Sequence, residues 1–125
     1  MKHLLFGPTI ALTAFLLSQG YTYTQHTPKE AQKQKSTVSW YGEKYRGRLM
    51  ANGTPFNPDA LTVAHRTLPF GTRVRFQHGP NTIIATVTDR GPFIKGREFD
   101  LSKATFAALA QVEAGLITPK WEVVK

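Results

Sequence analysis

Two runs of β-branched and apolar residues, separated by a short turn, place the strongest constraint on how this chain folds. The runs are residues 72–76 and 82–87, and His78-Gly79-Pro80-Asn81 lies between them. Valine, isoleucine and threonine favour extended backbone, whereas a Gly-Pro-Asn segment favours a tight turn. The pattern therefore predicts an antiparallel hairpin near the middle of the chain.

The segments on either side of this hairpin add further short elements. Residues 37–41 and 121–124 alternate polar with apolar side chains, which predicts a first and a closing strand, and glycine and proline make residues 43–58 a loop. Asp100-Leu101-Ser102 precede an apolar-periodic stretch that Gly115 ends, so we expect a helix with Asp100 at its start, and a functional role for Asp100 is the alternative. Many short strands with one or two short helices are typical of a small β-barrel.

The N-terminal part of the chain has a different composition. Residues 1–20 contain a basic start, an apolar run from Leu4 to Leu17 and small residues at the expected cleavage point. This order predicts a signal peptide over 1–20 and an exported protein; a membrane anchor is the alternative, although a bilayer span needs about 20 apolar residues. Residues 21–35 are rich in Thr, Gln and Lys and are predicted as a linker, which leaves one domain over residues 36–125.

The composition also limits the chemistry. The chain has no cysteine, which excludes a disulfide framework and a lipid anchor on an N-terminal cysteine. Its formal net charge of +8 favours anionic partners such as wall polymers or lipid headgroups, with solubility alone as the alternative. Export and the lack of a basic–aromatic array argue against nucleic acid. The histidines are scattered without metal-ligand spacing, so we predict no metal and no cofactor.

Five short motifs carry a family resemblance. In chain order they are Ser39-Trp40-Tyr41-Gly42, Ala51-Asn52-Gly53, the run from Ala64 to Thr72, Asp89-Arg90-Gly91-Pro92-Phe93 and Asp100-Leu101-Ser102. Through them, residues 36–125 resemble the rare lipoprotein A family. The resemblance implies a six-stranded double-psi β-barrel, as in expansins, and residence in the periplasm or cell envelope. It further implies endolytic lytic transglycosylase activity on peptidoglycan, preferably on glycan strands that lack stem peptides.

The resemblance also implies two catalytic residues. Asp89, at the end of a predicted strand, occupies the position of the family's catalytic aspartate, where a carboxyl protonates the glycosidic oxygen. A turn-forming aspartate before Arg-Gly-Pro is the structural alternative. His65 matches a second position in the groove and is predicted to assist, either by tuning Asp89 or by binding a sugar group. Its alternative is a purely structural histidine.

Five further side chains are predicted to bind substrate: Tyr41, Thr54, Arg66, Arg90 and Phe93. The aromatic members offer faces on which sugar rings stack, as do Trp40 and Phe70. The two arginines are expected to bind muramyl carboxylates or to brace Asp89 through their planar guanidinium groups. Because neighbouring side chains of a strand point to opposite faces, at most one of Trp40 and Tyr41 is expected to face the groove.

One departure from the family pattern leaves two functions open. Thr54 stands where the family usually has a glutamate, and Asn57 replaces the usual aspartate. A threonine hydroxyl is not a carboxylic acid, and Glu43 is the nearest other acid that could substitute. The first hypothesis is a transglycosylase that uses Asp89; the second is a non-catalytic, expansin-like glycan-binding module. Both predict a monomer that binds peptidoglycan, with other envelope or division proteins as further candidate partners.

Overall fold

The structure is a computed structural model that describes residues 34–125. The predicted signal peptide and residues 21–33 of the predicted linker lie outside the described residues. Within residues 34–125, no helix is long and apolar enough to cross a membrane.

In residues 34–125, seven strands form a single sheet. They are β1 (Gln34–Lys35), β2 (Val38–Tyr41), β3 (Thr62–Ala64), β4 (Arg73–His78), β5 (Asn81–Asp89), β6 (Phe99–Ser102) and β7 (Lys120–Val124). Their order in the sheet is β1-β7-β4-β5-β3-β6-β2. The predicted mainly β fold is confirmed, with six strands of three or more residues and the two-residue β1 in addition.

The predicted hairpin is the longest pairing in the sheet. Strands β4 and β5 pair antiparallel from Arg73 opposite Thr86 to His78 opposite Asn81. Gly79, in the turn, has a φ of +57°, in the left-handed region that glycine adopts without steric cost. The predicted closing strand β7 pairs antiparallel with the other edge of β4. These local antiparallel pairs form the half of the sheet that sequence patterns describe well.

Two parallel pairs distinguish the other half. Strand β2 pairs parallel with β6, and β3 pairs parallel with β5. The three-residue strand β3 also pairs antiparallel with β6, so it lies between β5 and β6. Parallel partners need a long connection, and here β3 is joined to β5 by residues 65–80, which include β4, and β2 is joined to β6 by residues 42–98.

Within residues 34–125 the one α-helix, α1, covers only Lys103–Ala107. The periodicity predicts a helix that continues towards Gly115, but the chain instead forms a separate 3-10 turn at Val112–Ala114. Tertiary hydrogen bonds account for the difference. Trp40 Nε1 donates to the Val112 carbonyl, and the side-chain Nδ2 of Asn81 donates to the Leu109 carbonyl. These carbonyls are satisfied from outside the helix, so the tertiary fold overrides the local pattern.

The expectation that Asp100 starts this helix was wrong. Asp100 belongs to β6, and the N-cap is Ser102, whose Oγ accepts a hydrogen bond from the Thr105 amide at 3.1 Å. The same Oγ donates to the Ala60 carbonyl at 2.6 Å. Ser102 therefore connects the start of α1 to the segment that enters β3, and it is Ser102, not Asp100, that caps the helix.

The core lies on one face of the curled sheet and under α1. Its largest fully buried side chains are Phe76, Phe99, Phe106, Leu101 and Leu109. Phe99 packs edge-on against both Phe76 and Trp121, with ring centroids 5.0 and 4.8 Å apart. The chain without cysteine is thus held by burial of aromatic and aliphatic side chains, each of which stabilises by roughly 1.5–3 kcal/mol.

Strand β1 corrects the boundary of the predicted linker. Gln34 and Lys35 pair with Trp121 and Lys120 of β7. Their polar composition gives no period-2 pattern, so the sequence places them with the linker. Backbone pairing at a sheet edge does not require apolar side chains, which explains why composition misses such a strand.

We expect Ser102→Ala to destabilise the domain by about 1–3 kcal/mol, because it removes the cap of α1 and the hydrogen bond from Ser102 Oγ to the Ala60 carbonyl. Chemical denaturation of the full chain measures this loss. Thr118→Ala, at an exposed position, is the control and should lie within about 0.5 kcal/mol of wild type. Equal stability of Ser102→Ala and wild type would contradict the assignment.

Candidate active site

An open cavity of about 470 Å³ lies where β2, β3, β5 and β6 meet the loops that follow them. Its lining includes two carboxyl groups, two arginines and a set of aromatic and aliphatic side chains. The lining residues are Tyr41, Tyr45, Arg48, Leu49, Met50, Phe56, Ala64, Asp89, Arg90, Gly91, Pro92, Phe93, Ile94 and Asp100.

The register of β3 brings the two carboxyls to this cavity. Ala64, the last residue of β3, pairs with Asp89 of β5 on one side and with Asp100 of β6 on the other. Neighbouring strands lie about 4.8 Å apart, so the two aspartate backbones are separated by roughly 10 Å. Because Ala64 has only a methyl group, it leaves space between the two carboxyls.

Asp89 is held by hydrogen bonds to one of its oxygens. Oδ1 accepts from the backbone amides of Ala51 and Arg90 at 2.8 and 2.9 Å. Oδ2 has a longer contact, 3.4 Å, with the Tyr41 hydroxyl. The two amides fix the orientation of the carboxyl, while the weakly bound Oδ2 is the oxygen that can exchange a proton with a substrate.

Tyr41 is a permanent hydrogen-bond donor in this cavity. Burial, and then the negative charges of Asp89 and Asp100, raise the pKa of Tyr41 far above its ordinary value. Its ring stacks on Phe56 with centroids 4.3 Å apart. Trp40, the preceding residue, packs instead against Phe106 of α1, so the two aromatic side chains face opposite sides of β2 as expected.

Asp100 is the site residue that the sequence misassigned. Its Oδ1 accepts from the Ser39 hydroxyl at 2.8 Å. Burial is the main reason that the pKa of Asp100 lies above its ordinary value; the charge of Asp89 adds to this effect, and the Ser39 hydrogen bond and Arg97 oppose it. Because Asp-Leu-Ser before a helix resembles a cap, the sequence favours a helix start over a functional role for Asp100, whereas the β3 register places Asp100 in the cavity lining.

His65 lies in the core and is not among the lining residues. The side chain packs against Phe99, with ring centroids 4.7 Å apart. Its Nδ1 accepts from the backbone amides of Thr67 and Leu68 at 3.1 and 3.0 Å, so the ring proton is on Nε2, which lies 2.7 Å from Glu98 Oε2. Both ring nitrogens are therefore engaged away from Asp89, and the structure does not bring these two predicted catalytic side chains into contact.

The two predicted substrate-binding arginines make internal bonds. Arg90 Nη1 donates to the carbonyls of His65 and Leu68, and its guanidinium lies 3.9 Å from the centre of the Phe70 ring. Arg66 lies outside the cavity and donates to the Pro92 and Arg97 carbonyls. Two roles are predicted for the arginines, and these contacts fit the structural one, in which the arginines brace the loops next to Asp89.

The remaining predicted residues differ in position. Phe93 lies on the cavity rim with 82% of its surface exposed, beside the exposed Leu49 and Ile94. Thr54 is outside the lining, and its hydroxyl donates to Asn52 Oδ1 at 2.7 Å. Glu43, the suggested substitute acid, also lies outside and pairs with Arg46 at 2.8 Å.

No cluster of three or more His, Asp or Glu side chains suited to a metal ion occurs in the described part of the chain. The groups in the cavity that can take part in a reaction are two separated carboxyls and a tyrosine hydroxyl, and the rim of the cavity is apolar. Such a set can perform general acid–base catalysis.

A family model described as lytic transglycolase matches residues 33–121. The chain belongs to this lytic transglycolase family. A relative from Synechocystis sp., named probable endolytic peptidoglycan transglycosylase RlpA, is 44% identical over 90 residues, which cover 70% of this chain and 28% of the relative. The chain spans about a quarter to a half of the length of the curated relatives first matched.

Solved structures share the fold of this chain. The Streptomyces papain inhibitor superposes with a TM-score of 0.63 at 28% identity and covers 75% of this chain and 96% of its own. A mutant expansin from Clavibacter michiganensis in complex with cellohexaose gives 0.62 at 18% identity, covering 74% of this chain and 50% of its own, which shows the fold alone. The predicted double-psi β-barrel is confirmed by the lytic transglycolase match and these neighbours.

We expect Asp100→Asn to alter how stability depends on pH. Folded Asp100 keeps its proton to higher pH than the unfolded chain does, so its contribution to the free energy of unfolding falls as pH rises through that range. Asparagine keeps an oxygen for the Ser39 hydroxyl and carries no charge.

The variant should therefore have a higher Tm than wild type at pH 7, and calorimetry should show that gain shrinking as the pH approaches about 4. Asp59→Asn, an exposed partner of Arg46, is the control and should show no gain at pH 7. A Tm difference for Asp100→Asn that does not change with pH would contradict the burial of an ionising carboxyl.

Proposed function

We propose that this protein is an endolytic peptidoglycan lytic transglycosylase that cleaves glycan strands lacking stem peptides and leaves 1,6-anhydromuramyl ends. The observation that carries the proposal is Asp89, whose Oδ1 is fixed by two backbone amides while its Oδ2 faces an open cavity beside Tyr41. The names of the relatives, which state endolytic peptidoglycan transglycosylase, support the same reaction.

In the first step, Asp89 acts as the general acid. The proton on Oδ2 passes to the glycosidic oxygen while the bond from that oxygen to the muramyl C1 breaks, so the leaving sugar departs as an alcohol. Positive charge then develops on C1 and the ring oxygen. When Asp100 is ionised, its negative charge in the same cavity stabilises this positively charged sugar.

In the second step, Asp89 acts as the general base. Its carboxylate takes the proton from the muramyl 6-hydroxyl as that oxygen bonds to C1 and closes the anhydro ring. The proton is thereby returned to Asp89 and no water is consumed. Tyr41 donates a hydrogen bond to Oδ2 and supports the carboxylate form that exists between the two steps.

The shape of the cavity suits a long polymer. It is open to solvent and has Leu49, Phe93 and Ile94 exposed on its rim, where the apolar faces of sugar rings can pack. An open groove accepts a strand in its middle, which endolytic cleavage requires. We place the protein outside the cytoplasm, in the periplasm or cell envelope, because its substrate lies there.

The alternative function is a glycan-binding module without catalysis. Thr54, with its hydroxyl bound to Asn52, provides no carboxyl at the position where the resemblance leads us to expect a glutamate. The expansin neighbour, whose structure contains cellohexaose, has the same fold. Under this alternative the cavity binds the strand but Asp89 transfers no proton.

Cleavage is tested on peptidoglycan from which an amidase has removed the stem peptides. We expect the full-length protein to release anhydromuramyl fragments, detected by mass spectrometry, and Asp89→Asn to lower the rate by at least about a hundredfold because the acid and base are lost. Asp59→Asn, whose carboxylate is exposed and outside the cavity, should cleave within about twofold of wild type.

Binding of the stripped strands without anhydro products would contradict the enzyme proposal and support the binding module. In that case Thr54→Glu separates two causes. If it produces anhydro ends, the protein has the cavity of a transglycosylase and lacks one carboxyl; if it remains inactive, the cavity itself is built only for binding.

For His65 we propose a positioning role, since its ring holds the Thr67 and Leu68 amides and Glu98. We expect His65→Ala to lower the free energy of unfolding by about 2–4 kcal/mol. At a temperature where the variant is folded, its rate should fall while the shape of its pH–rate profile stays the same. Loss of one limb of the profile at unchanged stability would instead show that His65 transfers protons.

A further inference from the structure

Two cations flank one aromatic ring at the edge of the cavity. Lys44 Nζ lies 5.1 Å and Arg48 Cζ 5.7 Å from the centre of the Tyr45 ring. Tyr45 in turn packs edge-on against Tyr41, with ring centroids 6.0 Å apart. We name Lys44, Tyr45 and Arg48 the cation–tyrosine cluster, and it borders the wall of the cavity through Tyr45 and Arg48.

The cation–tyrosine cluster differs from the other basic groups near the site. Arg46 is neutralised by Glu43 and Asp59, at 2.8 and 2.9 Å. Arg90 donates to backbone carbonyls. Within residues 34–125, Arg48 is the cavity-lining cation whose guanidinium makes no hydrogen bond or ion pair with the protein.

The backbone at Arg48 is nevertheless fixed. Its amide donates to the Tyr45 carbonyl at 3.0 Å, and its carbonyl accepts from the Phe56 amide at 2.7 Å. The guanidinium therefore extends from an ordered turn, and its contact with the Tyr45 ring restricts its orientation. A cation held in this way loses less side-chain entropy on binding an anion than a freely rotating one.

The substrate in the proposed function contains a matching anion. Each muramyl residue carries a lactyl ether that ends in a carboxylate when the stem peptide is absent and in an amide when it is attached, whereas the alternating glucosamine residue has no such group. An anionic strand is repelled by ionised Asp100, so a nearby cation without a protein partner offsets this repulsion.

We infer that Arg48, with Lys44 beside it, binds the free lactyl carboxylate of a muramyl residue and so selects glycan strands without stem peptides. The inference rests on the proposed function for its substrate. It assigns to Arg48 the carboxylate recognition that the sequence attributes to Arg66 and Arg90, whose guanidinium groups are already engaged.

Binding to a protein that cannot cleave tests this separately from catalysis. In the Asp89→Asn background, calorimetry or fluorescence compares three oligosaccharides of equal length: stripped peptidoglycan fragments, the same fragments with their lactyl carboxylates converted to methylamides, and chitin oligomers. We expect the carboxylate form to bind about fivefold tighter than the methylamide form, as one partly exposed ion pair provides.

Adding Arg48→Gln should remove most of that preference, because it weakens the binding of the carboxylate form alone. Adding Lys44→Gln should remove a smaller part of the preference. Arg73→Gln, an exposed cation on β4 that does not line the cavity, is the matched charge control and should leave the preference intact. The Tm of each variant confirms that it is folded.

Equal weakening of all three oligosaccharides by Arg48→Gln would overturn the inference, because Arg48 would then only pack against sugar. Equal affinity of the carboxylate and methylamide forms, or no measurable binding of any of the three, would overturn it as well. A carboxylate preference that depends on Arg48 would support it even if no anhydro product is ever formed, in which case only the proposed catalysis fails.

Discussion

The position of β3 between β5 and β6 is the constraint on which the site depends. This three-residue strand pairs parallel on one side and antiparallel on the other, and its Ala64 is thereby opposite both Asp89 and Asp100. A shift of one residue in either pairing would turn one carboxyl to the other face of the sheet. Because the side chain between them is a methyl group, the same register also creates the space that a sugar ring would occupy.

The motif residues divide into those that line the cavity and those that build it. Asp89, Tyr41 and Phe93 line it, and Arg90 both lines it and holds the surrounding loops. His65 and Arg90 bind backbone groups of the loops around it, His65 through the Thr67 and Leu68 amides and Arg90 through the His65 and Leu68 carbonyls. Loops carry many backbone polar groups that no strand satisfies, so polar side chains fixed in this way hold them in one conformation. A recurring motif can therefore serve loop geometry as much as chemistry.

The negative groups of the cavity and Arg48 differ in their burial. The negative groups of the cavity are partly buried, and burial raises the pKa of Asp100 and keeps Tyr41 protonated as a donor. Arg48, which lines the cavity, is exposed, and its guanidinium makes no hydrogen bond or ion pair within residues 34–125. In the proposed function, an anionic glycan strand meets this positive charge at the edge of the cavity, an arrangement that steers binding.

The sequence by itself determined the local elements: the β4–β5 hairpin, the closing strand, the loop between β2 and β3, and the placement of Asp89 at a strand end all follow from side-chain periodicity and turn residues. Only the tertiary structure decided what depends on distant pairing, because short-range patterns contain no information about register between strands far apart in the chain. That register moved Asp100 from a helix start into the cavity. The tertiary structure also turned His65 into the core and left Arg48, unlike Arg66 and Arg90, with a guanidinium that makes no hydrogen bond or ion pair within residues 34–125.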